Sequence, residues 1–441
     1  MGNVVLHAFN WKFAEVEQAS KDISQAGFDA VLISPPALSE GKEWFYRYQP
    51  LDYRIIQSPL GGLKALTSMI AALKKHRLKV YVDVVFNHMA YRQDNNLDYP
   101  GDQLLSKYKH EKIYHDNRLF GDLSQGLFTA DDFNPQKIIE SADYEDPSKI
   151  HDVQYDRISD DRAQQGLPDL NPNSEKVIVA QKEYLKALKA LGVQGFRIDA
   201  AKHMTIEHIK NVFAKEITQG LFVFGEIIPA HHGKFLDEFV REVNFSAYDF
   251  NLFYSIRDAL GPEGSLENLV SPRQLDKFKS LSFVVTHDIP NNEAMRMFIL
   301  DFDDTDRKDE MLVYAYILSR DGGVPLIYSD KGEADGVYSD RWKEAYRDER
   351  IHKMIDFHNR MFAKTMEILS AGKCHLIFHR EGQGIAAFNK CSDPQKVDIN
   401  TQDLKGTFTD ILSKKSIEIP KGSFSLKLPP RTCQLFLKDR D

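Results

Sequence analysis

The chain has 441 residues, of which 42 % are hydrophobic, 11 % aromatic and 28 % charged, and 57 Lys and Arg side chains face 65 Asp and Glu for a net charge of −8. So small a charge over this length excludes nucleic acid as the main partner and a polybasic membrane anchor, and the apolar content excludes intrinsic disorder. No stretch approaches the ~20 apolar residues that span a bilayer, so the expectation is a soluble, multi-part globular protein, either about three domains or one large barrel with additions.

Short β-branched runs alternate with longer segments of helical period, the pattern of βα units around a parallel sheet. Strands are predicted at 4–9, 28–34, 79–86, 194–200, 221–227, 243–249, 281–287 and 324–328. Amphipathic helices are predicted at 13–26, 61–76, 174–191, 205–218, 232–241, 252–260, 307–320 and 346–364. Eight strands, each followed by a helix, predict a closed (β/α)8 TIM barrel, with a doubly wound open sheet as the competing architecture.

Two stretches break the alternation. Residues 89–165 carry no clean period and are rich in Asp, Asn, Tyr and Pro, which predicts a small irregular domain inserted after the third strand. From residue 365 the texture changes to short alternating segments at 374–379, 384–389, 407–412, 416–419, 423–428 and 433–437. Turn residues separate them, which predicts an antiparallel β-sandwich over 365–441 and leaves the barrel with 1–88 and 166–364. The charged stretch 331–350 reads as a solvated loop and helix face.

Met1-Gly2-Asn3 runs into Val4-Val5-Leu6 with no basic n-region, long apolar h-region or small-residue cleavage site. Cytoplasmic residence is therefore the default expectation; a secreted or periplasmic chain trimmed of its signal peptide is the alternative. Cys374, Cys391 and Cys433 all lie near the C-terminus, and their odd number reads as reduced thiols rather than a disulfide-stapled scaffold.

In such a barrel the chemistry gathers at the C-terminal ends of the strands. The third predicted strand ends Asp83-Val84-Val85-Phe86-Asn87-His88, and the fourth carries Arg197 and Asp199 and continues to Lys202 and His203. The fifth ends at Glu226 and the seventh at Thr286-His287-Asp288, so three strands deliver a carboxylate to one rim. Arg197 and Asp199 are two apart and face the same way, so the guanidinium is expected to hold Asp199 ionised, a nucleophile. Glu226 follows an apolar run with no adjacent cation in the sequence, and desolvation is expected to keep its proton for a leaving group. One ionised and one protonated carboxyl is the arrangement of retaining glycosidases. Asp288 is the third carboxylate, placed to bond sugar hydroxyls and favour ring distortion.

At these residues the chain resembles the α-amylase family of glycoside hydrolases. The likeness rests on Asp83-Val84-Val85-Phe86-Asn87-His88, Gly195-Phe196-Arg197-Ile198-Asp199-Ala200-Ala201-Lys202-His203, Gly225-Glu226-Ile227-Ile228 and Phe283-Val284-Val285-Thr286-His287-Asp288, in that order. Leu167-Pro168-Asp169-Leu170-Asn171 and Arg47-Tyr48-Gln49-Pro50 extend it. The resemblance implies Asp199 as nucleophile, Glu226 as general acid/base and Asp288 as transition-state stabiliser. It implies that Arg197 orients the nucleophile, that His88 and His287 bind the sugar at the cleavage point, that Tyr48 stacks on it, and that Lys202 and His203 contact substrate. Trp44, Phe45 and Tyr46 either extend this sugar platform or only pack.

The family's usual structural ion is calcium, which takes hard oxygen ligands. The matching positions are Asn87, Asp169 and the backbone carbonyl of His203, with further ligands expected around Ser159-Asp160-Asp161-Arg162. Chloride-dependent members carry Asn where this chain has Thr286, and the basic residue they need near the eighth strand is not evident, which speaks against chloride. The expected activity is retaining hydrolysis of internal α-1,4-glucosidic bonds in starch, glycogen or maltooligosaccharides by a monomer. An α-glucanotransferase using the same residues and an inactive glycan-binding relative are the alternatives.

Overall fold

The computed structural model describes residues 3–159, 165–229, 233–289, 307–331, 341–401 and 404–439. Eight strands carry the fold: β1 (Val5–Phe9), β2 (Ala30–Ile33), β3 (Lys79–Val84), β4 (Gly195–Ile198), β5 (Phe222–Gly225), β6 (Ser246–Tyr248), β7 (Ser280–Phe283) and β8 (Val324–Asp330). They close in sequence order into a barrel, which excludes the open sheet. All eight lie on the predicted runs. The chain divides into two compact units, one of Ala8–Asp22 and Ala30–Tyr248, the other of Met1–His7, Ile23–Asp29 and Asp249–Asp441.

In the first unit β2 to β6 pair in parallel, and the register sets Asp83 of β3 opposite Arg197 of β4. The helices form where the sequence offers an apolar stripe and end signals. Helix Leu63–Lys75 buries Leu66, Met69, Ile70 and Leu73, one face of a 3.6-residue period. Helix Glu175–Leu191 starts on Ser174, whose hydroxyl accepts the Val177 N–H at 3.3 Å, and stops at Gly192 in the left-handed conformation. The helix predicted over 205–218 is two pieces, Ile206–Val212 and Lys215–Thr218. They part at Phe213, whose ring turns inward against Phe86 and Phe196.

The stretch 89–165, aperiodic in sequence, holds short helices at Asp102–His110, Lys112–Asp116, Ser141–Glu145 and Ile150–Tyr155. None is long enough for an apolar stripe to repeat, which is why periodicity did not find them. Its first half is anchored by the buried pair Asp52–Arg54, 2.7 Å apart. Arg54 reaches the carbonyls of Asp122 and, at 2.9 Å, Gln125, while the Tyr108 hydroxyl donates to Asp52 at 3.2 Å.

In the second unit β7 and β8 pair in parallel, followed by eight antiparallel strands. These are β9 (Met366–Ala371), β10 (His375–Arg380), β11 (Gly384–Asn389), β12 (Gln395–Asn400), β13 (Gly406–Asp410), β14 (Ser416–Ile419), β15 (Ser423–Leu428) and β16 (Thr432–Lys438). They make a six-stranded sheet in the order β9-β10-β11-β16-β13-β14 and a two-stranded sheet β12-β15. Ile377, Ile385, Phe408 and Phe436 of the first and Val397, Ile399, Leu426 and Leu428 of the second share one core, the expected sandwich.

One expectation is corrected here. Cys374 and Cys391 form a disulfide, with Cα atoms 5.4 Å apart, and only Cys433 is a free thiol. The hairpin pairing His375 with Asn389 brings the two flanking cysteines together at its open end, a proximity that counting cysteines does not show. In the stretch 331–350, residues 332–340 lie outside the described residues; Lys343, Glu344, Arg347, Glu349 and Arg350 are exposed, as expected of a solvated face, while Trp342, Ala345 and Tyr346 are buried beneath it. The Trp342 indole N–H donates to the buried Glu310 carboxylate at 3.1 Å, and Arg341 pairs with the same group at 2.8 Å. Among the described residues no helix is long and apolar enough to cross a membrane.

The Asp52–Arg54 anchor gives a stability prediction. Asp52→Ala leaves a buried guanidinium without its carboxylate and should lower unfolding stability by about 3–5 kcal/mol, read by denaturant titration. A loss under about 1 kcal/mol, the range of exposed pairs, would show that the pair does not anchor the segment.

Candidate active site

The backbone fixes the carboxylates before any side chain is considered. The Asp199 N–H donates to the Val84 carbonyl at 3.0 Å and the Glu226 N–H to the Ile198 carbonyl at 2.9 Å, so both continue strand pairing one residue past β4 and β5. Gly225, just before Glu226, has no room for a side chain, because a Cβ there would stand 2.7 Å from the Phe239 ring. After Asp199 the chain turns sharply at Ala200, left-handed at φ 46°, into the short 3-10 turn Ala201–His203.

Arg197 is fully buried and gathers three carboxyl groups. Its Nη1 donates to Asp83 Oδ1 and Oδ2 at 2.6 and 2.5 Å and to Asp199 Oδ1 at 3.0 Å. Its Nη2 forms an ion pair with Glu226 Oε1 at 2.5 Å. Glu226 therefore does have a cation beside it, against the expectation from its sequence neighbours; the cation comes from the adjacent strand. Burial pushes the Asp199 carboxyl well above the ordinary carboxylate range, Arg197 pulls it down, and the Glu226 and Asp83 carboxyls raise it again. Arg197 thus does not by itself hold Asp199 ionised, as its neighbour in sequence was expected to. Burial also lifts Asp83 to about 6, against the pull of Arg197. One guanidinium thus faces three buried carboxyl groups, and their mutual repulsion adds to the burial that raises Asp83 and Asp199.

Aromatic rings enclose the cation. The Arg197 guanidinium carbon lies 5.8 Å from the ring centroids of both Tyr48 and Tyr248. The Tyr48 hydroxyl donates to Asp83 at 3.0 Å, and its ring stacks on Phe9 and meets Trp44 edge-on. The His88 ring Nε2 donates to the Tyr48 carbonyl at 2.9 Å. Tyr48, His88, Arg197, Asp199 and Glu226 are thereby linked by contacts in one unit. Lys202 and His203 turn instead to the inserted segment. The Lys202 ammonium sits 4.9 Å from the Tyr144 ring centroid, and burial lowers its pKa to about 8. The His203 ring donates to the Val153 carbonyl at 3.1 Å.

His287 and Asp288 belong to the other unit. His287 is buried with its Nε2 3.5 Å from Asp288 Oδ1, and its ring meets that of His7 edge-on. The Asp288 side chain is 34 % exposed, the most open of the three predicted carboxylates. Its charge, together with that of Asp330, adds to the burial that raises the Tyr328 hydroxyl.

Of the residues matched to calcium, Asn87 and Asp169 come together. Asp169 is buried and accepts from the Asn134 amide at 2.6 Å, the next residue's N–H (Leu170) donates to the Asn87 carbonyl at 2.9 Å, and burial pushes the Asp169 carboxyl well up. The donors suit a hard cation in kind, an amide and a carboxylate at the foot of the inserted segment. His203 contacts that segment through its ring. Of the Ser159 to Arg162 neighbourhood only Ser159 is described, and no group of three or more His, Cys, Asp or Glu suited to a metal occurs among the described residues.

The sequence argument passed over Asp83 and Tyr248. Asp83 left a signal, an acidic residue inside the apolar strand Lys79–Val84, facing the same way as its register partner Arg197. Tyr248 left none, since a tyrosine ending a strand is ordinary core.

The Asp83 carboxyl carries a pH dependence. Its folded pKa, about 6, lies above the ordinary carboxyl value of 3.8, so between those values the native state binds more protons than the unfolded. This contribution is fully present below the lower value and is lost as pH rises through about 6. The stability of the wild type relative to Asp83→Asn should therefore fall from pH 4 to pH 6 and level off above, by urea titration. A difference that is flat in pH would remove the argument.

Comparison with known proteins identifies the family. The family model of the α-amylase catalytic domain matches residues 21–253. An α-amylase of Aeromonas hydrophila is 41 % identical over 432 residues, covering 94 % of this chain and 91 % of that protein. An α-amylase-related protein of Drosophila melanogaster is 26 % identical over 94 % of this chain and 87 % of its own length. Among solved structures, a mutant α-amylase I of Eisenia fetida in complex with maltohexaose superposes with a TM-score of 0.78 at 18 % identity, covering 99 % of this chain and 97 % of that one. A cyclomaltodextrin glucanotransferase gives 0.76 at 18 % identity with both chains fully covered. The chain belongs to the α-amylase family of glycoside hydrolases.

Proposed function

We propose that this glycoside hydrolase cleaves internal α-1,4-glucosidic bonds of starch, glycogen or maltooligosaccharides with retention. The observation that carries the reading is the Arg197 cluster, in which one buried cation holds Asp83, Asp199 and Glu226 together. An anion and an acid side by side are what a double displacement at a sugar carbon needs. The Glu226 carboxyl gives its proton to the glycosidic oxygen while an Asp199 oxygen bonds to the anomeric carbon and the C–O bond breaks. The Glu226 carboxylate then takes a proton from water, whose oxygen attacks the same carbon and frees Asp199. By the resemblance of their motifs, Asp288 takes the role of carboxylate on the sugar hydroxyls, Tyr48, His88 and His287 that of contacts to the reacting sugar, and Lys202 and His203 that of further substrate contacts. An acceptor sugar in place of water would make the same residues a glucanotransferase, and product lengths over time separate the two. The Cys374–Cys391 bridge favours the secreted or periplasmic alternative over the cytoplasm, since disulfides persist in oxidising compartments.

Calcium, when bound by Asn87, Asp169 and the His203 carbonyl, would supply a positive charge tying the inserted segment to the barrel. Excess chelator should then lower the melting temperature of the wild type and leave that of Asp169→Asn unmoved. Equal melting temperatures for the wild type in chelator and in excess calcium would exclude the ion.

The two carboxyl roles separate by substrate. Asp199→Asn and Glu226→Gln should each retain less than about a hundredth of wild-type activity on starch, as loss of acid/base or nucleophilic catalysis requires. On maltosyl fluoride, whose leaving group needs no proton, Glu226→Gln should still form the covalent intermediate, seen by mass spectrometry, and Asp199→Asn should not. The reverse pattern would exchange the roles.

A further inference from the structure

A cavity in the second unit is lined by residues that have no part in the chemistry described above. It encloses about 390 Å³ at the N-terminal ends of β7 and β8, while the other end of β7 leads to His287 and Asp288. Four cations line it, Lys277, Arg320, Lys364 and Arg380, against one carboxylate, Asp321, in a chain whose net charge is −8. His358 adds no charge at neutral pH, because burial lowers its pKa to about 4.

Two of these cations are buried and form no ion pair among the described residues. Arg380 spends all five of its N–H groups on backbone carbonyls, those of Ser319, Arg320, Met361 and Lys364. Burial lowers its pKa to about 10, and the more distant Asp321 and Glu381 restore only part of the loss. Arg320 donates to Gln274 through Nη2, while its buried Nε has no hydrogen-bond partner among the described residues. The other two cations reach toward solvent. Lys364 Nζ lies 3.6 Å from Glu381, a partly exposed pair of little strength, and the Lys277 ammonium sits 5.4 Å from the Phe278 ring centroid. An anion in the cavity would supply the countercharge that the two guanidiniums lack, with Arg380 contributing charge and Arg320 a donor.

Two further lining residues are phenylalanines open to water, Phe278 at 79 % and Phe362 at 45 % exposure. Both are held by closed turns. The Asp276 carboxylate accepts the Phe278 N–H at 2.9 Å, and the Asp276 carbonyl accepts the Lys279 and Ser280 N–H groups at 2.8 and 3.0 Å. Beside Phe362, the Lys364 N–H donates to the Met361 carbonyl at 3.0 Å, and Arg380 clamps both of those carbonyls. Gly322, left-handed at φ 80°, completes the wall; a Cβ there would stand 2.3 Å from that of Lys277, so the lysine stem lies on bare backbone. Rigidly presented aromatic faces beside unneutralised cations suit a ligand that is flat and apolar at one end and anionic at the other.

We propose that this cavity binds a small anion carrying a planar aromatic ring, the chemistry of a nucleoside monophosphate, with Phe278 and Phe362 taking the ring and Arg320 and Lys277 the phosphate. Calorimetric titration of the whole chain with adenosine monophosphate, adenosine and inorganic phosphate tests this without reference to glycoside cleavage. The nucleotide should bind saturably and at least about tenfold more tightly than either fragment. Phe278→Ala, at a position too exposed to endanger folding, should weaken the nucleotide about fivefold or more, the low end of stacking a base on an aromatic ring, and leave phosphate unchanged. Lys277→Glu should weaken nucleotide and phosphate alike. No saturable binding at millimolar nucleotide, an affinity no better than that of adenosine or phosphate alone, or an unchanged nucleotide affinity in either variant would overturn the proposal.

Discussion

The three buried carboxyl groups of the catalytic cluster are joined through the guanidinium of Arg197. It lies on β4 with Asp83 of β3 on one side and Glu226, after β5, on the other, and it meets Asp199 two residues further along its own chain. Three acids buried this close repel strongly at low dielectric, and without the cation they would take up protons or open to water. A lysine would not serve, because the fork of Arg197 sends one nitrogen to Asp83 and Asp199 and another to Glu226, with planar faces left for Tyr48 and Tyr248. The register of three strands, rather than any single residue, makes the site.

That dependence on register explains what could be read in advance. The β-branched runs and helical stripes that gave eight strands and eight helices are local signals, and the barrel follows from their alternation. Arg197 and Asp199 sit on one strand, so their shared face was legible from a spacing of two. The Glu226 environment was not, because its cation comes from another strand and proximity across strands is set by pairing. The same holds for Asp83, which meets Arg197 across 114 positions, and for the Cys374–Cys391 bridge, which depends on a hairpin closing. The Asp199 titration was misjudged for a related reason, since burial, the largest influence on it, is a property of the fold.

The inserted segment escaped periodicity because its helices are short, yet its attachment is specific. Asp52 and Arg54 hold its first half from the loop after β2, and three bonds close that loop on residues 88–91.

Ala200 connects this segment to the chemistry. A non-glycine residue at φ 46° costs on the order of 1–3 kcal/mol, and such strain persists only where the surroundings impose it. Here the residue before it is pinned to Val84, its own N–H donates to Glu226 Oε2 at 3.3 Å, and the residues after it are drawn to Tyr144 and Val153. Were the chain to continue as an extended strand, side chains would simply alternate past Asp199, and Lys202 and His203 would not turn together onto the inserted segment. The left-handed turn divides one short sequence into two functions, with Asp199 directed at the buried cation and Lys202 and His203 directed at the segment. A displacement of the inserted segment would therefore be felt at Asp199 through four residues of backbone, with no side-chain relay required.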